Sequence, residues 1–176
     1  TELPNQSHFF NADIADKHLN PAGPDHAQVA ASGAVLDYVL ALHEHHGGLE
    51  SDGLHSAAAA VSALWRERED GVTMALLDAL SGRDDVRVLG PESIESEVFH
   101  RCPTIAFSPL AMEPEAVAHE LVRRGVQTSS GHYYAVRVLE GLGIDPDRGV
   151  VRLSGVHYTS PDDVERAVVA LGEVLR

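Results

Sequence analysis

The sequence predicts an α/β chain of the two-layer α+β kind, with one small sheet of four strands packed by helices and two long helices ahead of it. Three observations support this fold class. Apolar residues recur at three- and four-residue steps through most of residues 24–80, which is typical of helices. Four short apolar runs follow between turn residues, as in strands. Helix signals with a proline in the first turn lie between and after these runs.

The first predicted helix runs from Pro24 to the pair Gly47-Gly48. Residues 1–23 carry Pro, Asn, Gly and Asp without a sustained period and are predicted to be irregular. Proline suits the first turn of a helix, and glycine ends one. The periodic positions of this helix are Val29, Ser32, Leu36, Val39, Leu40 and His43.

The second predicted helix covers residues 51–80, with Gly71 as a site for a kink or an interruption. Its periodic positions are Leu54, Val61, Leu64, Val72, Leu76 and Leu80. A boundary at Gly47-Gly48 is predicted between the two helices. Residues 1–47 then form the tail of another domain, and residues 48–176 form a self-contained α/β module.

The remaining elements are short and follow one another closely. The predicted strands are "VRVLG" (86–90), "CPTIAFS" (102–108), "VQTS" (126–129) and "GVVRLSGV" (149–156). One predicted helix is "EPEAVAHELVRRG" (113–125), with Pro114 at its start and Gly125 at its end. Another helix is predicted to begin directly after "GHYY", so that a histidine and two tyrosines lie at its N-terminus.

The last predicted helix, "SPDDVERAVVALGEVLR", has the clearest signals in the sequence. Ser160 is expected to be the N-cap and Pro161 the first helical residue. Asp162 and Asp163 follow where the helix dipole favours negative charge. One apolar face is formed by Val164, Val168, Leu171 and Leu175.

Composition and charge exclude several classes of function. The chain is 44% hydrophobic and 23% charged, as a globular protein is, and its formal net charge is −14. This charge argues against binding nucleic acid or an anionic membrane surface, both of which need clustered Lys and Arg. No apolar run approaches the ~20 residues of a spanning helix, and no signal-peptide pattern opens the chain. We expect a cytoplasmic protein, and we expect this chain, which starts at Thr1 inside a loop-like stretch, to be a piece of a longer one.

Cysteine and histidine give little support to a metal site. Cys102 is the only cysteine and is expected to be a small buried apolar residue. In "HEHHGG" (43–48), His43 and His46 lie on one side of a helix, as a metal-binding pair would. The same cluster also fits a helix end, where the dipole favours histidine and glycine stops the turn. We expect the helix end and no metal.

Several motifs at matched spacing resemble one known family. "GHYYAVRVLEGLG" followed by "GVVRLSGVHYTSPDDVERAVVAL" resembles the C-terminal end of class V aminotransferases, and within them the cysteine desulfurase-like proteins, which are pyridoxal-phosphate enzymes of fold type I. "LNPAGPDHAQVAASGAVLDYV" resembles the family's Gly-Thr-Pro-Asn-His segment, and "RCPTIAFSPLAMEPEAVAHELVRRGV" resembles the start of its small domain. The resemblance implies that residues 1–47 are the tail of the large domain with an interdomain helix, and that 48–176 are the C-terminal small domain.

The resemblance assigns a substrate-binding role to Arg152. In the family, the arginine of an Arg-x-Ser strand binds the α-carboxylate of the substrate, and Arg152 occupies that position. A planar guanidinium pairs with a carboxylate through two parallel hydrogen bonds, so the residue type suits the role. The alternative for Arg152 is a strand arginine paired with a surface acid.

The loop before the short helix departs from the family pattern. Desulfurases carry Arg-x-Gly-His-His-Cys-Ala there, whereas this chain has "SSGHYYA", with Ser129 in place of the arginine and Tyr134 in place of the reactive cysteine. A phenol with a pKa near ~10 does not form a persulfide at neutral pH. The resemblance implies that His132 and Tyr134 take the catalytic positions and that Tyr133 binds substrate. The alternative is that the tyrosines are half-buried packing residues.

For the cofactor, the resemblance implicates Gly23 and His26. The family's threonine that reaches the cofactor phosphate of the neighbouring subunit corresponds to Gly23, where only backbone N–H groups at a helix start remain to hold phosphate. His26 aligns with a family histidine. The lysine that anchors the cofactor lies upstream in the family, and Lys17, the only lysine here, does not fit that role.

The implied function belongs to a complete protein. We expect a homodimeric, pyridoxal-phosphate-dependent enzyme with C–S lyase or aminotransferase-type chemistry on an amino acid. The 176 residues alone are expected to bind no cofactor and to be inactive, because the covalent anchor is missing. Two alternatives stay open: a non-catalytic stand-alone binding or interaction module of the same fold, and a histidine-dependent metal-binding protein.

Overall fold

The computed structural model describes residues 4–19, 25–49, 53–94 and 100–175. These residues form two units, which divide between Val61 and Ser62. Helix α2 (Leu54–Leu80) contains that division, so its first two turns belong to the first unit. The domain boundary expected at Gly47-Gly48 therefore stays a prediction.

The first unit is helical. Short 3₁₀ turns at Phe9–Asn11 and Ala15–Lys17 precede helix α1 (His26–His45). The predicted helix is thus present, while Pro24 lies outside the described residues. None of the residues of α1 is buried in the described part of the chain. Its periodic apolar positions are partly or largely exposed, with Val29 at 62% and Leu36 at 39%.

Helix α2 runs without interruption through Gly71. Its second half supplies buried residues at helical spacing, because Val72, Leu76 and Leu80 point to one side. Thr73 is also buried, and its hydroxyl donates to the Glu69 backbone carbonyl at 2.8 Å, which satisfies the buried polar group. No described helix is both long enough and apolar enough to span a bilayer.

The second unit contains the sheet that the sequence predicts. Its strands are β1 (Val86–Leu89), β2 (Thr104–Pro109), β3 (Ser129–Gly131) and β4 (Val150–Ser154). They lie in the order β1-β2-β4-β3, and each neighbouring pair is antiparallel. The helices are α3 (Pro114–Arg123), α4 (Val136–Gly141) and α5 (Pro161–Val174). The α/β fold with a four-strand sheet is confirmed.

The main core lies on one face of the sheet. Strand residues point alternately to opposite faces, so Ile105 and Phe107 of β2 and Val151 of β4 share one face, and all three are fully buried. Helices α2, α3 and α5 cover that face. The core residues that they supply are Val72, Leu76, Leu77, Leu80, Val117, Leu121, Ala167, Ala170, Leu171 and Val174.

A smaller cluster lies on the opposite face. Leu139 of α4, Ile144 and Val150 are buried there, with Leu89, Ala106 and Tyr133 packed against them. This face is only partly covered, which leaves room for polar side chains on the central strands.

The predicted strand at 126–129 is displaced. Strand β3 begins at Ser129, because the preceding residues close helix α3. Gly125 has φ +79°, its N–H donates to the Val122 carbonyl at 3.0 Å, and the N–H of Val126 donates to the Leu121 carbonyl at 3.0 Å. These two bonds form a Schellman motif, whose closing residue is usually apolar. Val126 is therefore a cap residue and not a strand residue.

Cys102 is exposed, so the expectation that it is buried is wrong. The predicted strand at 102–108 begins later than expected, because β2 starts at Thr104. Cys102 therefore lies before the strand whose Ile105 and Phe107 point into the core.

Candidate functional site

Arg152 lies on the central strand β4. It pairs with Ala106 of β2 on one side and with Ser129 of β3 on the other. Its neighbours Val151 and Leu153 are buried in the main core, so the Arg152 side chain extends from the opposite, partly open face. The side chain is exposed.

The Arg152 guanidinium lies over the ring of Tyr133. Its central carbon is 4.1 Å from the ring centroid, which is a cation–π contact. Within the described residues, no carboxylate lies within salt-bridge distance of this guanidinium. The alternative of an ion pair with a surface acid is thus not seen in that part of the chain. The nitrogen edge of the guanidinium remains accessible to an anion.

Arg148 gives an informative contrast. Its guanidinium donates to the Ser108 hydroxyl at 3.1 Å and to the Pro109 and Met112 carbonyls at 2.8 and 2.9 Å. The protein itself uses the donors of Arg148 to fix the connection from β2 to α3. Among the described residues, the guanidinium of Arg152, four positions later, contacts the aromatic face of Tyr133 and has no hydrogen-bond acceptor. The two arginines therefore have different roles.

The turn that carries the histidine and the two tyrosines has an unusual backbone. Tyr133 and Tyr134 have φ +50° and +60°, in the left-handed region that favours glycine. The N–H of Tyr134 donates to Nδ1 of His132 at 3.0 Å. When Nδ1 accepts, a neutral imidazole carries its proton on Nε2. His132 is exposed and so presents Nε2 as a hydrogen-bond donor at the surface.

The two tyrosines of this turn differ in their contacts. Tyr133 packs against Leu139, Ile144 and Val150, and its hydroxyl donates to the Ser129 carbonyl and lies 3.1 Å from the Ser129 Oγ. Tyr134 is 98% exposed, and within the described ranges the ring that it contacts is that of His132, edge-to-face at 6.0 Å between centroids. Tyr133 is thus a half-buried packing residue, the alternative considered for both tyrosines, and Tyr134 is not.

Some expected site residues come together and others do not. Arg152 and Tyr133 are in direct contact, and His132 and Tyr134 lie on the same turn as Tyr133. Gly23 lies outside the described residues. His26 is the first residue of α1, in the other unit, and is exposed.

The start of α1 does not fit a cofactor phosphate. The Asp25 carboxylate accepts hydrogen bonds from the N–H groups of Ala27 and Gln28 at 3.0 and 3.2 Å. These are backbone donors that a phosphate at a helix start would use. A phosphate would have to displace a carboxylate that already binds them, and the like charges would repel each other. The described residues beside Gly23 and His26 therefore do not form a phosphate site by themselves.

The segment "HEHHGG" (43–48) closes helix α1. The N–H groups of Gly47 and Gly48 donate to the carbonyls of Glu44 and His43, each at 2.9 Å, which closes the helix with a Schellman motif. Across the described ranges, no group of three or more His, Cys, Asp and Glu side chains is arranged to hold a metal ion.

Sequence reasoning missed the support that Ser129 and Thr128 give to the site. The Thr128 hydroxyl donates to the Arg152 backbone carbonyl at 2.7 Å, and Ser129 binds the Tyr133 hydroxyl. The Thr128 contact depends on how β3 pairs with β4, whereas the Ser129 contact closes the turn between Ser129 and Tyr133. The only signal in the sequence is the Thr-Ser-Ser run itself, which is equally typical of a loop.

Comparisons with known proteins agree with this fold. No protein-family model matches the sequence. The chain is 30% identical over 155 residues to a probable cysteine desulfurase of Pseudomonas putida, which covers 86% of this chain and 31% of that protein. It is 29% identical over 184 residues to aminotransferase-like protein FGM3 of Gibberella zeae, which covers 99% of this chain and 40% of that protein.

Solved structures show the same architecture. The cysteine desulfurase CsdA of Escherichia coli matches with a TM-score of 0.52 and 20% identity, over 73% of this chain and 31% of that one. The cysteine desulfurase of Thermococcus onnurineus matches with a TM-score of 0.51 and 23% identity, over 73% of this chain and 32% of that one. At these identities the structures establish the fold.

The fold and the sequence similarity together define the class. The chain is related to the cysteine desulfurase-like class V aminotransferases and resembles their C-terminal portion, as its motifs predict. It spans 31% and 40% of the lengths of the two curated relatives.

Proposed function

We propose that this chain is the substrate-carboxylate-binding part of a pyridoxal-phosphate-dependent, cysteine desulfurase-like enzyme that acts on an amino acid. The observation that carries the proposal is the Arg152 guanidinium, which lies on the open face of the sheet with its nitrogen edge accessible and one face against Tyr133. A guanidinium in this state binds a carboxylate through two parallel hydrogen bonds. The family similarity supports the same assignment.

The neighbouring turn supplies the other groups of the proposed site. The exposed Nε2 of His132 can donate to, or exchange a proton with, a substrate atom held beside Arg152. Tyr134 offers a phenol in the position where desulfurases carry a thiol, so thiolate attack on sulfur is not part of the proposed chemistry. The proposed chemistry is therefore of the C–S lyase or aminotransferase type, which does not require that thiol.

The cofactor belongs to the complete protein in this proposal. Pyridoxal phosphate withdraws electrons from the bonds at the α-carbon of an amino acid. The described residues at the start of α1 do not fit its phosphate, and the single lysine, Lys17, lies in a short 3₁₀ turn of the first unit. We propose that the groups that hold the cofactor lie outside these 176 residues, that the chain alone is inactive, and that the complete enzyme is a homodimer.

The test is substitution of Arg152 in the complete protein. We expect Arg152→Ala to raise the KM or Kd for an amino acid by about ten-fold or more, because a charge-assisted bond of ~1.5–3 kcal/mol is lost. Arg152→Lys should recover only part of the affinity, since an ammonium lacks the planar fork. Affinity is measured by steady-state kinetics and by the change in visible absorbance of the cofactor on adding amino acid.

Arg123→Ala is the matched control. Arg123 is 77% exposed on α3, which packs on the other face of the sheet, and its loss should leave amino-acid binding unchanged. Equal amino-acid KM and kcat for Arg152→Ala and the wild type would disprove the carboxylate role.

A further inference from the structure

Tyr133 lies in a turn, yet both its ring and its hydroxyl contact other residues of the second unit. Its ring packs on the smaller apolar cluster of Leu139, Ile144 and Val150, and its hydroxyl is held by Ser129. These contacts fix the ring in position and direction. They also offset a backbone at φ +50°, which costs a non-glycine residue roughly 1 kcal/mol or more.

The anchor of Tyr133 and the backbone of Arg152 belong to the same strand pair. Ser129, which binds the Tyr133 hydroxyl, is the register partner of Arg152 across β3 and β4. Thr128, the preceding residue, donates to the Arg152 carbonyl at 2.7 Å. The support of the ring and the backbone of the arginine therefore lie in one hydrogen-bonded strand pair.

The contact restricts the guanidinium without using its donors. An arginine side chain has several rotatable bonds, and ordering it on binding costs free energy. The Tyr133 ring covers one face of the Arg152 guanidinium at 4.1 Å and leaves the nitrogen edge open. A planar carboxylate can bind along that edge. An ion pair would order the arginine equally well but would occupy the donors.

We infer that Tyr133 is a positioning residue for Arg152: it orders the guanidinium in advance so that its free edge accepts the carboxylate of an amino acid. This inference rests on the proposed function, because it assumes that Arg152 binds a carboxylate. It assigns Tyr133 a role through Arg152 and requires no direct contact between Tyr133 and the substrate.

The first test is a structural measurement on the 176-residue chain itself. Protons near the face of an aromatic ring are shifted upfield, so the Hδ and Hε resonances of Arg152 in the wild type should lie upfield of ordinary arginine values. The shift should persist in Tyr133→Phe and disappear in Tyr133→Leu, with Arg152→Lys used to assign the signal. Identical Arg152 shifts in the wild type and Tyr133→Leu would overturn the inference.

The second test measures substrate discrimination in the complete protein with L-alanine and ethylamine, which lacks the carboxylate. Tyr133→Leu should weaken L-alanine binding by about five-fold, the effect of a cation–π contact. It should leave ethylamine binding unchanged and kcat nearly unchanged. Tyr133→Phe keeps the ring and its packing but loses the hydrogen bond to Ser129, so it should weaken L-alanine binding less than Tyr133→Leu does. Equal losses for both ligands, or no loss for either, would contradict a positioning role.

Two further variants keep the test decisive. Pentafluorophenylalanine at position 133 preserves ring size and burial but reverses the charge distribution of the ring face, so it should weaken L-alanine binding as Tyr133→Leu does, even if the leucine variant fails to fold. Tyr158→Leu is the control, since the Tyr158 ring contacts His157. If Arg152→Ala reduces amino-acid affinity and the variants at 133 do not, only this inference fails. If Arg152→Ala has no effect, the proposed function itself fails.

Discussion

At the scale of single residues, the turn before α4 has two consecutive tyrosines in a conformation that costs energy. Among the described residues, Tyr133 and Tyr134 are the non-glycine residues with positive φ. Tyr133 recovers the cost through packing and hydrogen bonds, whereas Tyr134, 98% exposed, has little to offset it. Such uncompensated strain is often found at functional sites, and it agrees with the position proposed for Tyr134.

This difference predicts opposite effects of glycine at the two positions. Tyr134→Gly should leave the free energy of unfolding unchanged or raise it by up to about 1 kcal/mol, because relief of the left-handed strain exceeds the entropy cost of glycine. Tyr133→Gly should lower it, because the ring packing and the hydroxyl bond are lost. Urea denaturation of the 176-residue chain measures both. Loss of stability in Tyr134→Gly would mean that the Tyr134 ring has contacts beyond those with His132.

The contrast between the two arginines also belongs to the residue scale. Arg148→Ala should destabilise the fold by about 2 kcal/mol, since it leaves the Ser108 hydroxyl and two backbone carbonyls without their donor. Arg152→Ala should change stability by less than about 1 kcal/mol, because it loses only an exposed cation–π contact. Chemical denaturation with Arg123→Ala as the surface control distinguishes the two. Equal losses at 148 and 152 would contradict the assignment of Arg148 as structural and Arg152 as functional.

At the scale of elements, glycine ends three helices in the same way. Gly47, Gly125 and Gly143 follow α1, α3 and α4 with φ between +72° and +86°, and each donates to a carbonyl in the last turn. After α3 and α4 the next residue is a buried apolar one, Val126 or Ile144. This closing residue places the chain against the core before the next element starts, which explains why β3 begins later than its apolar content suggests.

Two reciprocal hydrogen bonds between Ser160 and Asp163 cap the N-terminus of α5. The N–H of Asp163 donates to the Ser160 Oγ at 3.1 Å, and the N–H of Ser160 donates to the Asp163 carboxylate at 3.3 Å. This is a capping box, and it confirms Ser160 as the N-cap that the sequence predicts. The hydrogen bond from the Ser160 hydroxyl lowers the pKa of the Asp163 carboxyl, with its backbone bond and Arg166 acting in the same direction.

The cap predicts a dependence of stability on pH. An acid whose pKa is lowered by folding stabilises the native state at neutral pH, and this contribution is lost as the pH falls below about 4. Ser160→Ala should therefore cost about 1 kcal/mol at pH 7 and less at pH 3. Thermal or urea unfolding at both pH values measures this. Ser62→Ala, exposed within α2, is the control, and a cost that does not change with pH would contradict the coupling of Ser160 and Asp163.

At the scale of the whole molecule, both apolar clusters belong to the second unit. Their residues lie between Val72 and Leu175, and α1 contributes no buried residue in the described part of the chain. The sheet and its helices therefore have a core that does not depend on residues before α2. This is the organisation of a unit able to fold by itself.

A shortened chain tests this independence. A chain that begins at Gly53 keeps α2 intact and should unfold cooperatively, with a denaturation midpoint close to that of the 176-residue chain. Phe107→Ala should lower the stability of both lengths by about 3–5 kcal/mol, since Phe107 is fully buried at the centre of the sheet. Non-cooperative unfolding of the shortened chain would show that the first unit contributes to the core.

Most of the fold could be predicted from local patterns. The capped helix α5, the long helix α2 and strands β1, β2 and β4 all have periodicity or end signals that depend on neighbouring residues alone, although α2 lacks the kink or interruption considered at Gly71. The errors arose where one local pattern fits two structures. An apolar residue such as Val126 fits both a strand and the closing position of a Schellman motif. Cys102 was assigned to a strand whose exact start the sequence does not fix, and it lies before that strand.

The candidate site was predictable as a set of positions but not as a set of contacts. The motifs identified Arg152 and the turn of His132, Tyr133 and Tyr134. The cation–π contact, the bond from Tyr133 to Ser129 and the tautomer of His132 follow from backbone torsions and strand register. The cation–π contact joins the turn to β4, and the other two depend on the left-handed torsions of Tyr133 and Tyr134, which spacing along the chain does not determine.

The sequence by itself determined the helices, three of the four strands, the N-cap of α5, the glycines that end α1 and α3, and the family to which the chain is related, since each depends on residue order and local chemistry. The tertiary structure alone decided which arginine is structural and which is accessible. It also decided which tyrosine is packed, and that the donors at the start of α1 are already bonded to Asp25. The physical reason is that identical side chains acquire different roles from the partners that strand register and packing bring to them.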